Sequence, residues 1–325
     1  MRCLQIVLMV VATLVCGPTG VAHAQASYPN RPIQLIVTVP PGGAADFVAR
    51  LIGAKLGDAL GQSVVIGNRG GAAGTTAAAA VAKSEADGYT LLLNTIATHG
   101  IGPHIYANLP YDPVKDFSPV ILIAKLPLIL AVNADVPARS VPELIALAKA
   151  KPGGLIFCSA GTGGAPHLSG ELFKSLTGTD LLHVPYRGSG PAVLDLIAGR
   201  VTMMFDATPS LFPHIMAGKL RPLAAASPQR HRLLPDVPAF AELGYPAMDI
   251  ALWYGVVAPG GTPAPIVQRL NAELAKILAM PDVRKSLSEQ GADVQGGSTD
   301  DFAAFMRRES DRWGAVVKQA GIKPE

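Results

Sequence analysis

Cysteine is almost missing from this chain. Of its 325 residues only 3 are cysteines, and Cys3 and Cys16 fall in a leading apolar segment. Cys158 is the one that remains in the body of the sequence, which excludes an internal disulfide and a cysteine metal cluster there. Charge is also scarce, at 16% of residues against roughly a quarter in an average domain. Lys and Arg number 27 and Asp and Glu 24, a formal charge of +3 with no polybasic run. Neither nucleic acid nor an anionic membrane surface is therefore an expected partner.

Catalytic and cofactor signatures are lacking too. No G-x-S-x-G elbow, H-E-x-x-H pair, C-x-x-C pair or Gly-Lys-Ser/Thr sequence occurs. Gly161-Thr162-Gly163-Gly164-Ala165-Pro166 begins like a dinucleotide fingerprint, but Pro166 stands where the third glycine belongs. His99, His104, His167, His183, His214 and His231 show no metal-ligand spacing within a helix. No cofactor and no metal are expected. One enzymatic alternative stays open, an exported hydrolase or isomerase using His167 with Cys158 or Ser159.

What is present begins with an export signal. Arg2 precedes an apolar run over residues 4–15, and Ala22-His23-Ala24 is an A-x-A cleavage site. Residues 1–24 read as a secretory signal peptide cleaved after Ala24, too short to span a membrane. A lipid anchor at Cys16 is disfavoured, because Thr13-Leu14-Val15 offers no small residue before the cysteine. The rest is long enough for two domains of roughly 150 residues. With no disulfide to help, those domains depend on their cores, which the 49% hydrophobic composition can supply.

Short apolar strands alternate with amphipathic helices along that chain. Strands are expected at 33–39, 63–66, 90–94, 155–159, 181–184, 201–206 and 220–226. Helices are expected at 46–60, 75–83, 141–151, 167–176, 190–198 and 209–217, with a last helix from about 299 to 320. Apolar strands separated by helices argue for parallel sheets covered on both faces, an α/β fold.

Two stretches echo each other. Strand 36–39 runs into Pro40-Pro41-Gly42-Gly43 and a helix carrying Asp46; strand 155–158 runs into Ser159-Ala160-Gly161-Thr162-Gly163-Gly164 and a helix near His167. The first turn of a helix leaves backbone N–H groups without intrahelical partners and carries partial positive charge. Glycine lets an anion approach those amides. Each loop alone could be a simple turn; two of them, one domain apart, suit a carboxylate clamp. The Gly70–Gly74 loop is expected to be structural. Val184-Pro185-Tyr186-Arg187-Gly188-Ser189 and Phe205-Asp206-Ala207 also end strands at the edge where α/β sheets bind ligands. Arg187 could pair a carboxylate or stay solvated. Asp206 could accept from a ligand amine or hydroxyl, or cap the next helix.

The series PPGGAAD, NRGGAAG, DGYTLLL, DFSPV, GTGGAPHLSGELF, HVPYRGSGPAVLDLIAGRV, LPDVPAFAELG, WYGVVAPGGTPAPIV and a closing Glu309-x-x-Arg312-Trp313 resembles the Bug family, the TctC-like solute-binding proteins of tripartite tricarboxylate transporters. The resemblance spans essentially the whole chain after the signal. Departures are Gly70 for a usual Pro, Gly67 for Glu, Ala86 for Pro and Arg187 for Lys. It implies a periplasmic binding protein of the Venus-flytrap type, with two Rossmann-like lobes joined by two crossing strands at 121–133 and 251–259. Lobe 1 would comprise 25–123 plus 252–325, and lobe 2 would comprise 124–251. Carried over, the ligand-binding positions are Gly42, Gly43, Ala44, Ala45 and Asp46, facing Ser159, Ala160, Gly161, Thr162, Gly163 and His167. Thr95 and Thr98 would line lobe 1, and Arg187, Gly188, Ser189, Asp206 and Ala207 would line lobe 2. The implied ligand is a small carboxylate: a di- or tricarboxylate, an acidic amino acid or an aromatic acid. The implied partners are the membrane subunits of a transporter or a sensor receptor, with the protein itself a monomer.

Overall fold

The computed structural model describes residues 28–319 and residue 321; the expected signal segment lies outside the described residues. In chain order the elements are β1 (Ile33–Val37), α1 (Ala44–Leu60), β2 (Val64–Asn68), α2 (Thr75–Ala82), β3 (Thr90–Thr95), α3 (Gly102–Ile105) and β4 (Phe117–Asn133). They continue with α4 (Val141–Ala150), β5 (Leu155–Ser159), α5 (Ala165–Thr177), β6 (Leu181–Pro185), α6 (Ser189–Ile197), β7 (Met203–Ala207), α7 (Thr208–Met216) and β8 (Leu220–Ala226). The last group is β9 (Ala251–Pro259), α8 (Ala264–Ala279), α9 (Pro281–Glu289), β10 (Asp293–Gly296) and α10 (Thr299–Gln319). The alternation expected from the sequence is present, with boundaries moved by a residue or two. A π-helical turn, Ile96–Ile101, was not foreseen, because its apolar residues follow neither the helical nor the strand period.

The sheet is mixed rather than parallel throughout. Strands β2, β1 and β3 pair in parallel, as do β6, β5 and β7, whereas β3 pairs β9, and β4 pairs β9, β7, β8 and β10, all antiparallel. The long strand β4 carries both groups. Its residues up to Pro127 pair with β9, and those from Leu128 onward pair with β7 and β8. One continuous sheet therefore contains two α/β halves that meet at the Pro127–Leu128 step.

Strand direction decides which edges face each other. Strand β3 is antiparallel to β9, and β9 is antiparallel to β4, so β1, β2 and β3 run the same way as β4, toward the second half. Strands β5, β6 and β7 run against β4, toward the first half. The C-terminal ends of both parallel sets, where helix N-termini follow, thus point at the border from opposite sides. Ligands bind at such strand ends in open α/β sheets.

Burial holds the helices in register on this frame. Strand β4 is buried along nearly its whole length, and Val48, Ile52 and Leu56 of α1 are at most 2% exposed. Helix α5 is seated on β5 because residue 170 is glycine. A Cβ there would lie 2.2 Å from the Phe157 ring, so only glycine lets helix and strand approach this closely.

Candidate ligand-binding site

The first loop leaves β1 and enters α1 with Gly43 as N-cap and Gly42 in the left-handed region at φ 92°. Asp46, 5% exposed, sits in the first turn rather than at the cap. Its carboxylate accepts from the Gly42 amide at 3.0 Å, from Arg50 Nε at 3.0 Å and from Asn68 Nδ2 at 3.0 Å, and Asn68 also donates to the Val39 carbonyl. The bond from Arg50 leads the causes that hold the Asp46 carboxyl below its usual range. Asp46 is thus an ionised brace that closes the loop on itself. The first-turn amides of Gly43, Ala44 and Ala45 have no intrahelical acceptor. Around Gly43 there is open space, since a Cβ built on it meets nothing within 4 Å.

The second loop repeats this construction. Gly164 caps α5, the preceding Gly163 is left-handed at φ 77°, and its amide donates to Nδ1 of His167 at 3.2 Å. Gly42 and Asp46 stand to α1 as Gly163 and His167 stand to α5. In each loop the amide before the cap is held by a side chain four residues on. The aligned segments are Gly42-Gly43-Ala44-Ala45-Asp46 and Gly163-Gly164-Ala165-Pro166-His167. The echo is therefore one of hydrogen-bonding role as well as of glycine content.

Below the second loop the hydroxyl of Ser159 is fully engaged. It lies 2.7 Å from His183 Nε2, donates to the Gly161 carbonyl at 3.0 Å and accepts from the Gly161 amide at 3.3 Å. One hydroxyl proton satisfies all three contacts when His183 is the Nε2–H donor. The rings of His167 and His183 stack at 4.1 Å, and Phe157 stacks beneath His183 at 4.7 Å. Burial first, and the neighbouring His167 second, push His183 down to about 4, so the His183 ring is neutral. His183 was not among the expected site residues. Its place in a strand gave no signal, and only the register that pairs His183 with Phe157, two residues before Ser159, brings its ring to the loop.

The turn after β6 is stitched to this loop, with Tyr186 N–H donating to Ser159 O at 2.9 Å and Gly188 N–H to Ala160 O at 3.1 Å. Arg187 is exposed in that turn. Asp206, at the end of β7, is 2% exposed. Its Oδ1 accepts from the Ala207 amide at 2.8 Å, while Oδ2 is buried with no hydrogen bond of normal geometry. Burial pushes its carboxyl up to about 6, a rise restrained by Ser189, the Ala207 amide and Ser210.

Other expected positions are less available. Thr98 Oγ1 accepts from the Thr95 amide at 3.1 Å and donates to its carbonyl at 3.0 Å, so both threonines cap the π turn, buried, instead of presenting hydroxyls. A Cβ on Gly74 of the third glycine loop would lie 2.6 Å from Thr38 Cβ and 3.0 Å from Thr98 Cγ2, in line with a structural role. The described bonds of the side chains that an enzyme would pair run elsewhere. His167 holds the Gly163 amide, Ser159 bonds His183, and burial, with Asp206 nearby, pushes the Cys158 thiol up to about 12. Across the border, a Cβ on Gly163 would lie 2.3 Å from Ile105 Cδ1, so the second loop already touches α3 of the first half. Sequence reasoning missed Ile105 because an isolated apolar residue in a four-residue helix carries no such signal.

Residues 48–322 match the family described as the tripartite tricarboxylate transporter family receptor. Protein BugT of Bordetella pertussis (strain Tohama I) is 39% identical over 319 residues, covering 97% of this chain and 98% of that protein. Among solved structures, R. palustris Rpa4515 with adipate is 42% identical with a TM-score of 0.87, over 92% of this chain and 100% of that one. MatC of Rhodopseudomonas palustris with bound malate is 35% identical with a TM-score of 0.82, over 89% and 100% of the two chains.

Proposed function

Because this chain belongs to the tripartite tricarboxylate transporter receptor family, whose members are periplasmic solute-binding proteins rather than enzymes, we propose that it captures a small carboxylate between its two halves. The observation that carries this reading is the twinned loop. Two helix N-termini, each braced by a side chain on the amide before the cap, end on facing sheet edges. The carboxylate is held by the amides of Gly43, Ala44 and Ala45 from one side and of Thr162, Gly164 and Ala165 from the other. Each helix end contributes on the order of 1 kcal/mol to an anion, and the amide hydrogen bonds add about 1 kcal/mol each. Gly42, Asp46, Gly163 and His167 act behind these amides. Arg187, Ser189 and Asp206 read the remainder of the ligand. Relatives solved with adipate and with malate support an organic acid of this size.

The lobes are 25–123 plus 252–325 and 124–251, joined through β4 and the start of β9. The protein is exported by its signal peptide and works as a monomer that delivers the closed, liganded form to membrane subunits. Differential affinity for the closed state drives the closure. A thermal-shift screen of mono-, di- and tricarboxylates, sugars and metals tests the reading. An acid at a hundred times its Kd stabilises the protein by about 2.7 kcal/mol, a clear rise in Tm. A rise with a sugar or a metal and none with any acid would overturn it.

A further inference from the structure

His231 takes no part in the clamp, yet it is 5% exposed and sits at the joint between the halves. On the edge of β4 opposite β9, strand β10 pairs as far as Lys125 and β7 begins pairing at Leu128, which leaves the Leu126–Pro127 step open on that side. Pro127 has no N–H to leave unpaired there. A cavity of about 440 Å³ lies at this gap, lined by Lys125, Pro127, His231, Gly291 and Asp293 among others. The imidazole forms part of its wall. Nδ1 accepts from the Leu233 amide at 3.2 Å, which assigns the proton to Nε2. That Nε2–H lies 3.0 Å from Thr208 Oγ1 and 3.3 Å from the Gly291 carbonyl.

The two acceptors belong to different halves. Thr208 is the first residue of α7 and directly follows Asp206 and Ala207, whereas Gly291 precedes β10. Space at the joint is tight, since a Cβ on Gly291 would lie 2.7 Å from Thr208 Oγ1 and 2.9 Å from His231 Cε1. We propose that His231 is a positioning residue for ligand capture: a pin that ties the Asp206–Thr208 wall of the second half to the Gly291 turn of the first, and so sets the angle at which the clamp closes. It touches no ligand and acts through Thr208. The link to capture rests on the carboxylate reading above; the link between the halves does not.

Hydrogen exchange on the unliganded protein tests the pin directly. His231→Ala should raise exchange of the amides in 208–211 and in 291–294 together, with α1 unchanged. His231→Gln, whose Nε2 can still donate, should restore both. Calorimetry with adipate should show affinity falling roughly fivefold to tenfold in His231→Ala and recovering in His231→Gln. Thr208→Val should add little to His231→Ala, since both remove one bond. Faster exchange confined to 227–234, or a Gln variant no better than Ala, would overturn the proposal. If adipate binds neither parent nor variant, the exchange result decides the pin alone, and the carboxylate reading answers separately to the acid screen.

Discussion

Replacing Asp206 by Asn should make the unliganded protein more stable at neutral pH. The folded protein binds the Asp206 proton more tightly than the unfolded chain does, with the carboxyl raised from 3.8 to about 6 by burial. Its contribution is therefore most favourable below pH 3.8 and is lost as pH rises through the window to about 6. Above that window the ionised, buried carboxylate costs on the order of 3 kcal/mol. Asn is nearly isosteric, keeps an acceptor for the Ala207 amide and presents a donor toward Ser189 and Ser210. Burying its amide still has a cost, so a net gain of about 1–3 kcal/mol is expected, or roughly 2–8 °C in Tm. Scanning calorimetry at pH 7.5 and pH 4.5 checks both sign and origin, because the advantage of Asp206→Asn must shrink at the lower pH, where the parent takes up its proton. A variant less stable than the parent at pH 7.5, or an advantage equal at both values, would refute a buried, unpaired carboxylate. A residue that costs stability at working pH belongs to the class expected of functional sites.

Gly43→Val should abolish acid binding while leaving Tm within about 1 °C, because residue 43 has φ −93° and open space around it; unchanged calorimetric affinity would remove the first loop from the site. Asp46→Ala strips acceptors from Gly42, Arg50 and Asn68, so a loss of about 2 kcal/mol and weaker binding are expected together in chemical denaturation and calorimetry. The Asp46 carboxyl is lowered in the fold, so its stabilisation is present above pH 3.8 and is lost as pH falls through the lower, folded value; the parent's advantage over Asp46→Ala should narrow in acid. Arg187→Ala should change the rank order of acids in the thermal-shift screen with little change in the unliganded Tm, because the side chain is exposed. His167→Ala should free the Gly163 amide and weaken binding as Asp46→Ala does; tight binding in this variant would separate the two loops in function.

Much of this was legible in the residues. Apolar runs such as Ile33–Val37 and Leu155–Ser159 are local, and so are the glycines that end them; strand, turn and helix start follow from period and backbone freedom alone. The missing cysteines and catalytic motifs narrowed the function before any contact was seen, and the ordered motifs named the family. Tertiary structure decided the rest. No local pattern says that β4 changes partners at Pro127, that Thr98 turns inward to Thr95, or that His183, 24 residues from Ser159, holds its hydroxyl. The twin glycines could be read as turns or as a site. Only the opposed strand directions set them on facing edges, and only the bonds to Asp46 and His167 show which amides are engaged within the loops. Sequence patterns report short-range preferences, whereas facing edges, buried charges and a histidine across a joint arise from pairings between residues far apart in the chain.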